Sequence, residues 1–278
     1  LPELYLTPPP GRLYVMGILN LTPDSFSDGG RFSGVETALE EARRQLAAGA
    51  DILDIGGESS RPGAAPVGVQ EEIDRTAPVV ERLAIETDKP ISIDTVKPEA
   101  ARECLRLGAR IVNDISGLAN EAMRRVCAEY GASVVIMHMR GTPRTMQDDT
   151  RYEDLVTEVR DLLREQVEAA TAAGVKEIAI DPGIGFGKTA EQNFELIRRL
   201  GELGTVERPV LVGPSRKSFL GSLPSRLETN ERLEGTIAAC VAAALNGARI
   251  LRVHDPGPVR RAMEATEAIL GEPPWTAS

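Results

Sequence analysis

Short apolar runs rich in Val and Ile recur along the chain at 14–20, 51–56, 91–95, 110–115, 133–139, 177–181, 210–213 and 249–254. Each is nearly continuous in its apolar character, the pattern of parallel strands covered on both faces. Between them lie segments with apolar residues at helical spacing. Segment 35–48, VETALEEARRQLAA, puts Ala38, Ala42 and Leu46 on one stripe, and 150–173 does the same with Leu155, Val159, Leu162 and Leu163. Gly49, Gly108, Gly131, Gly174 and Gly247 follow helical patterns, where a C-terminal cap is expected. Pro98 falls in a first helical turn, where a missing N–H is not felt. Eight such alternations with no linker predict a closed (β/α)8 TIM barrel of the α/β class rather than an open doubly wound sheet. An active site is then expected at the C-terminal ends of the strands. One domain covers 1–278, with an N-terminal extension at 1–12 and a C-terminal tail at 271–278. Helical segment 235–246 carries no charge between Thr236 and Leu245. A barrel helix normally shows water one polar face, so this one predicts a subunit interface. A helix merely rich in small Ala residues is the alternative.

Composition narrows the function. An apolar fraction of 42% and a charged fraction of 27% are ordinary for a soluble globular protein. The formal net charge of −10 argues against a nucleic-acid binder, which needs a basic face. With 4% aromatic residues there is little to stack on single strands. An acidic chain that binds an anion must gather its positive groups in one place. Cys104, Cys127 and Cys240 are far apart and form no CxxC pair, which predicts buried reduced thiols and a reducing, cytoplasmic setting. The segment 1–10 is too polar for a signal peptide, and no apolar run approaches the ~20 residues that span a bilayer, so no membrane association is expected. Asn and Gln are sparse beside Arg, Glu and Ala, a bias found in thermophiles.

Odd polar residues fall at the strand ends. Asn20 closes the first strand and Asp54 lies near the end of the second, before Glu58, Ser59, Ser60 and Arg61. Asp94, Asn113-Asp114, Met137-His138-Met139-Arg140, Asp181, Ser215-Arg216-Lys217 and Arg252 with His254 and Asp255 continue the series. Single residues of this kind cap helices, as Thr95 and Asp255 are expected to do. A polar residue at every strand end, several of them inside the strand, is too many for capping. Asp94, Asn113 and Asp181 suit a flat heterocycle with N–H and C=O edges, because a buried edge left unpaired is costly. Met137 and Phe186 are candidates for its apolar faces.

A second set is cationic: Arg61, Lys217, Arg252 and His254. Arg252 and His254 are two apart on one strand and leave the same face. Gathered in an acidic chain, they point to a phosphate-type anion. Asn20 and Asp54 are oxygen donors that could share Mg2+ with it. The stretch Gly183 to Thr189 resembles a P-loop but fails, because the first glycine of that motif would fall on Pro182. Loops 22–34 and 61–68 are expected to close over substrate and exclude water.

Read together and in order, MGILNLTPDSFSDGG (16–30), DIGGESSRPGA (54–64), SIDTVKP (92–98), VNDISG (112–117), MHMRGTP (137–143), DPGIGFGK (181–188), GPSRKSF (213–219) and RVHD (252–255) resemble the dihydropteroate synthase family of pterin-binding barrels. The resemblance implies a transferase that joins 6-hydroxymethyl-7,8-dihydropterin pyrophosphate to p-aminobenzoate in folate biosynthesis, uses Mg2+, and is a cytoplasmic homodimer. It implies that Asp94, Asn113, Ile115, Met137, Asp181, Phe186, Gly213 and Lys217 surround the pterin. Asn20, Ser60, Arg61, Arg252 and His254 would hold the pyrophosphate, with Asn20 also on the metal. Phe26, Pro62, Lys217 and Ser218 would border the p-aminobenzoate site, where sulfonamides compete. Asp94, Lys217, Arg252 and His254 would carry the catalysis. Ser60 stands where the family usually has Thr, which keeps the hydroxyl, and Pro214 is a further departure. A pterin-barrel methyltransferase, a non-catalytic paralogue and an unrelated phosphate-binding barrel are the competing readings.

Overall fold

A computed structural model describes residues 4–22, 31–60, 64–271, 273 and 275. Eight parallel strands close into a barrel in chain order: β1 (Tyr14–Asn20), β2 (Ile52–Gly56), β3 (Ile91–Asp94), β4 (Ile111–Asp114), β5 (Ser133–Met137), β6 (Ile178–Asp181), β7 (Val210–Val212) and β8 (Ala248–Val253). β8 pairs with β1, which leaves no sheet edge. Around them run α1 (Arg31–Ala47), α2 (Val69–Glu86), α3 (Pro98–Leu107), α4 (Glu121–Tyr130), α5 (Leu155–Ala172), α6 (Ala190–Arg198), the short α7 (Ser218–Gly221), α8 (Leu233–Leu245) and α9 (Pro256–Leu270). The expected strands differ from the observed ones by at most two residues at either end.

Alternation along each strand sorts the side chains into two shells. One parity, including Leu53, Ile55, Ile93, Val112, Ile136, Ile180, Val212 and Val253, packs with the helices in the main hydrophobic core. The other parity contributes Met16, Ile52, Ile111, Val135, Ala179, Leu211 and Ile250 to a separate buried layer. Two residues further along the same strands, that inward parity reaches Asp54, Asn113, Met137, Asp181, Gly213 and Arg252. The barrel interior is thus apolar low down and polar at its C-terminal rim.

Three local expectations change. The segment 150–154 is not helical; Asp154 caps α5 by accepting the Thr157 N–H, so the helix starts at Leu155. Asp255 precedes α9 but makes no side-chain cap, because its carboxylate accepts from Arg216 at 2.7–3.1 Å. Thr95 Oγ1 accepts from the Lys97 N–H, within the turn that leads into α3 rather than in the helix. Gly108 does end α3, at φ 121°, and a β-carbon there would lie 2.5 Å from Ala84 Cβ.

The chain before β1 closes the floor. Leu6 is fully buried in the inner apolar layer. Glu177, just before β6, accepts the Tyr5 N–H at 2.8 Å, the Leu6 N–H at 2.9 Å and the Thr7 hydroxyl at 2.9 Å.

Candidate active site

The rim is organised by a buried carboxylate. Asp54, on the inward parity of β2, is fully buried. Its Oδ2 accepts Arg252 Nε at 2.6 Å from β8 and Asn113 Nδ2 at 3.0 Å from β4. The guanidinium also donates through Nη2 to Asp94 Oδ2 at 2.7 Å. Burial works against the charge on Arg252, but Asp54 and Asp94 more than offset it and raise its pKa above the usual arginine value. Asp94 is pushed up to about 7, chiefly by burial, with Arg252 opposing and Asp54 adding to the rise. Asp54 therefore orients two neighbours through Oδ2, while its buried Oδ1 has no hydrogen-bond partner among the described residues. Arg252 is likewise a partly neutralised cation. Its Nη1 makes no hydrogen bond among the described residues.

Beside this triad lies an edge built for hydrogen bonding. The bond to Asp54 fixes the Asn113 amide and leaves its Oδ1 as an acceptor. Asp181 Oδ1 accepts the Gly183 N–H at 2.7 Å. Burial raises the Asp181 pKa, while the Lys217 charge lowers it. Lys217 Nζ donates to the Ile184 carbonyl and stands 4.4 Å from the centre of the Phe186 ring. Burial pushes Lys217 down to about 8, with Asp181 opposing and Arg252 adding to the fall. Lys217 thus lies beside Asp181 and Phe186, close enough to Arg252 to feel its charge. Met137 and Phe186 pack with Met146, and Ile115 and Met139 cover that group. Gly213 is buried, and a β-carbon there would come 3.6 Å from Arg252 Cβ.

The anion side is less enclosed. His254 follows β8 directly, and Ser215 Oγ accepts its backbone N–H at 3.2 Å and lies 3.0 Å from Nδ1. Nδ1 and the Ser215 hydroxyl share one hydrogen bond, whose donor depends on the imidazole tautomer. Ser60, Asp94 and Ile115 line a cavity of about 450 Å³ at the mouth. Asn20 ends β1, and Gly56 faces it on β2. A β-carbon at Gly56 would lie 3.7 Å from both Asn20 Oδ1 and Asp94 Oδ2, so glycine keeps that gap open. Ser218 is exposed at the start of α7. Phe26, Arg61 and Pro62 lie outside the described residues.

Four participants received no role from the sequence, although His138 already stood in the strand-end series. Met146 comes from the β5–α5 connection, and nothing in its surroundings marked it as apolar core. Lys97 Nζ donates to Glu58 and Glu72, and Glu58 Oε1 accepts the Val67 N–H at 3.2 Å, which ties down the β2–α2 connection. Lys188 and His138, both buried, meet at 3.0 Å beneath the turn after β6. A lysine closing a glycine-rich stretch was the available signal for the last pair, set aside once the P-loop spacing failed.

The chain resembles known proteins over nearly its whole length. The family model described as "Pterin binding enzyme" matches residues 16–254. The dihydropteroate synthase of Synechocystis sp. is 49% identical over 261 residues, covering 93% of this chain and 90% of the relative. That of Escherichia coli is 46% identical over 259 residues and 92% of each chain. Among solved structures, the Yersinia pestis dihydropteroate synthase in a sulfonamide drug complex superimposes with a TM-score of 0.88 at 45% identity, covering 94% and 95% of the two chains. The Xanthomonas albilineans dihydropteroate synthase with 4-aminobenzoic acid gives 0.88 at 43% identity, covering 95% of each. The chain belongs to the pterin-binding enzyme family, among the dihydropteroate synthases.

Proposed function

We propose that the chain condenses 6-hydroxymethyl-7,8-dihydropterin pyrophosphate with p-aminobenzoate to give 7,8-dihydropteroate and pyrophosphate, and that the residues above carry this reaction. The observation behind the assignment of residues is the division of one rim between an amide–carboxylate edge at Asn113 and Asp181 and an Arg–His side at Arg252 and His254. Asn113 Oδ1 and the second oxygen of Asp181 accept from the pterin N–H groups, and the Lys217 ammonium donates to a ring acceptor. Leaving any of these buried groups unpaired costs about 1–3 kcal/mol, which selects the ring. Met137, Ile115, Phe186 and Gly213 bound its faces.

Arg252, the His254 ring and the Ser60 hydroxyl, with Arg61 and Asn20, hold the diphosphate. As its C–O bond breaks, these groups meet the growing negative charge on the leaving oxygen. The pterin methylene carbon gains positive charge, which the Asp94 carboxylate stabilises. The aniline nitrogen of p-aminobenzoate, bordered by Phe26, Pro62, Lys217 and Ser218, attacks that carbon and loses a proton. Sulfonamides compete for this last position.

Mg2+ fits this site through Asn20. The gap at Gly56 leaves the amide oxygen beside Asp94 uncrowded. Among the described residues no group of three or more His, Cys, Asp or Glu could hold a metal unaided. Diphosphate oxygens and water would complete the shell, as is usual for this ion. When bound, it supplies charge neutralisation at the leaving group. The three buried free cysteines support a reducing cytoplasm, and α8, which carries no charge after Glu234, supports a homodimer. No described helix is long and apolar enough to cross a membrane.

The test is pyrophosphate release from the pterin substrate, with and without p-aminobenzoate and Mg2+. Release that needs both is expected. No release above background under any condition would overturn the reading.

A further inference from the structure

Lys188 has no part in the chemistry above, yet it is 4% exposed at the base of the rim. Its Nζ donates to the Gly183 carbonyl at 3.0 Å and the Phe186 carbonyl at 2.9 Å, and lies 3.0 Å from His138 Nδ1. An ammonium has three donors, and all three have acceptors here. Burial pushes Lys188 down to about 7, with Asp181 opposing and Lys217 and Arg140 adding to the fall. Burial also pushes His138 down to about 2, helped by Lys188 and Arg140, so its ring stays neutral and can accept. A buried charge held this way is weak evidence for stability and needs another reason.

The reason lies in what it grips. Gly183, Gly185 and Gly187 all have positive φ, at 70°, 81° and 60°. A turn so rich in glycine has little intrinsic preference for one shape. Lys188 ties two of its carbonyls to His138 on the neighbouring strand end. Gly183 makes the approach possible, since a β-carbon there would lie 1.9 Å from the His138 carbonyl oxygen. The same turn serves the rim in three ways. Its Gly183 N–H donates to Asp181, its Ile184 carbonyl accepts Lys217, and its Phe186 ring faces the Lys217 ammonium.

We infer that Lys188 is a positioning residue for pterin recognition: by tying the Gly183 and Phe186 carbonyls to His138, it sets the turn that aims Asp181 and Lys217 at the ring. This rests on the reading of Asp181 and Lys217 as pterin contacts. Arg252 and His254, on the anion side, are held instead by Asp54, Asp94 and Ser215 and stay in place without Lys188.

Calorimetric titration with 6-hydroxymethylpterin and, separately, with inorganic pyrophosphate and Mg2+ tests it. Lys188→Met, melting cooperatively above the assay temperature, is expected to lose about tenfold or more in pterin affinity, while pyrophosphate affinity stays within about twofold. His138→Leu, which strands one ammonium proton, loses pterin affinity as well, and His138→Gln, which restores an acceptor, recovers most of it. Wild-type pterin affinity in Lys188→Met overturns the inference, and so do equal losses for both ligands. Should Lys188→Met not fold, wild-type pterin affinity in His138→Leu overturns it instead. Asp181→Asn probes the underlying reading separately: unchanged pterin affinity there sinks the pterin-site assignment itself.

Discussion

Asp54 has one oxygen shared between Arg252 and Asn113 and a second, buried, with no hydrogen-bond partner among the described residues. It joins the two halves of the rim, holding an amide for the ring and a guanidinium for the leaving group. Removing one member of a buried ion pair costs about 3–5 kcal/mol, because the other charge is left uncompensated. Asp54→Ala should therefore melt at a lower temperature by calorimetry. It should also lose about 100-fold or more in kcat/KM for the pterin substrate, since both orientations fail together. A stable variant with unchanged kcat/KM would remove Asp54 from the site. The two titrating groups beside it set a pH profile. Asp94 acts as a carboxylate and is pushed up to about 7, so activity rises as pH climbs through that value. Lys217 acts as an ammonium and is pushed down to about 8, so activity falls as pH climbs past it. The expected kcat/KM profile is a narrow bell whose limbs belong to the coupled set rather than to either residue alone. Lys217→Arg, which does not titrate in this range, should lift the alkaline limb and leave the acid limb. A flat profile from about pH 6 to 9 would contradict both assignments.

At the scale of elements, the strands were legible because a parallel barrel covers both faces of each strand, so Val and Ile runs have no polar alternation to hide them. The rim was legible for the complementary reason: Asp54, Asp94, Asn113, Asp181 and Arg252 interrupt those runs where ordinary strands stay apolar. Which rim groups pair was not legible. Arg252 reaches Asp54 across 198 positions of sequence, and Asp255 serves Arg216 rather than its own helix. The segment before β1 was opaque in the same way. Its Leu6 is buried only because Glu177, 171 residues away, satisfies its N–H. Stranding the Tyr5 and Leu6 amides at about 1–3 kcal/mol each makes Glu177→Ala an informative change. The variant should unfold at lower denaturant, by roughly 3 kcal/mol, while kcat and KM hold, since the N-terminal face of such a barrel serves stability. Chemical denaturation beside steady-state kinetics checks both halves. A loss of activity without loss of stability would show that the floor and the rim are coupled.

Across the whole molecule, the proposed homodimer is tested apart from the chemistry, because the described rim residues lie on the strands and turns of a single barrel. α8 buries Thr236, Ala239, Cys240, Ala243 and Ala244 against the barrel. Its other side presents Ala238 and Leu245, both exposed, with Leu245 at 41%. Exposed Glu234 opens that face and no charge follows it, so the apolar remainder fits the proposed contact with a second copy of the chain, the symmetric solution. Charges on both chains would face each other across a two-fold contact, where like charges repel and lose their water. Ala238→Glu with Leu245→Glu should therefore convert a dimer to monomer in light scattering, with an unchanged circular dichroism spectrum. Each monomer keeps Asp54, Asp94, Asn113, Asp181, Lys217 and Arg252 from its own strands and turns, so turnover per chain should persist at low concentration. If the double variant remains dimeric, α8 is not the contact. If it becomes monomeric and inactive while still folded, the partner supplies something the rim of one barrel lacks.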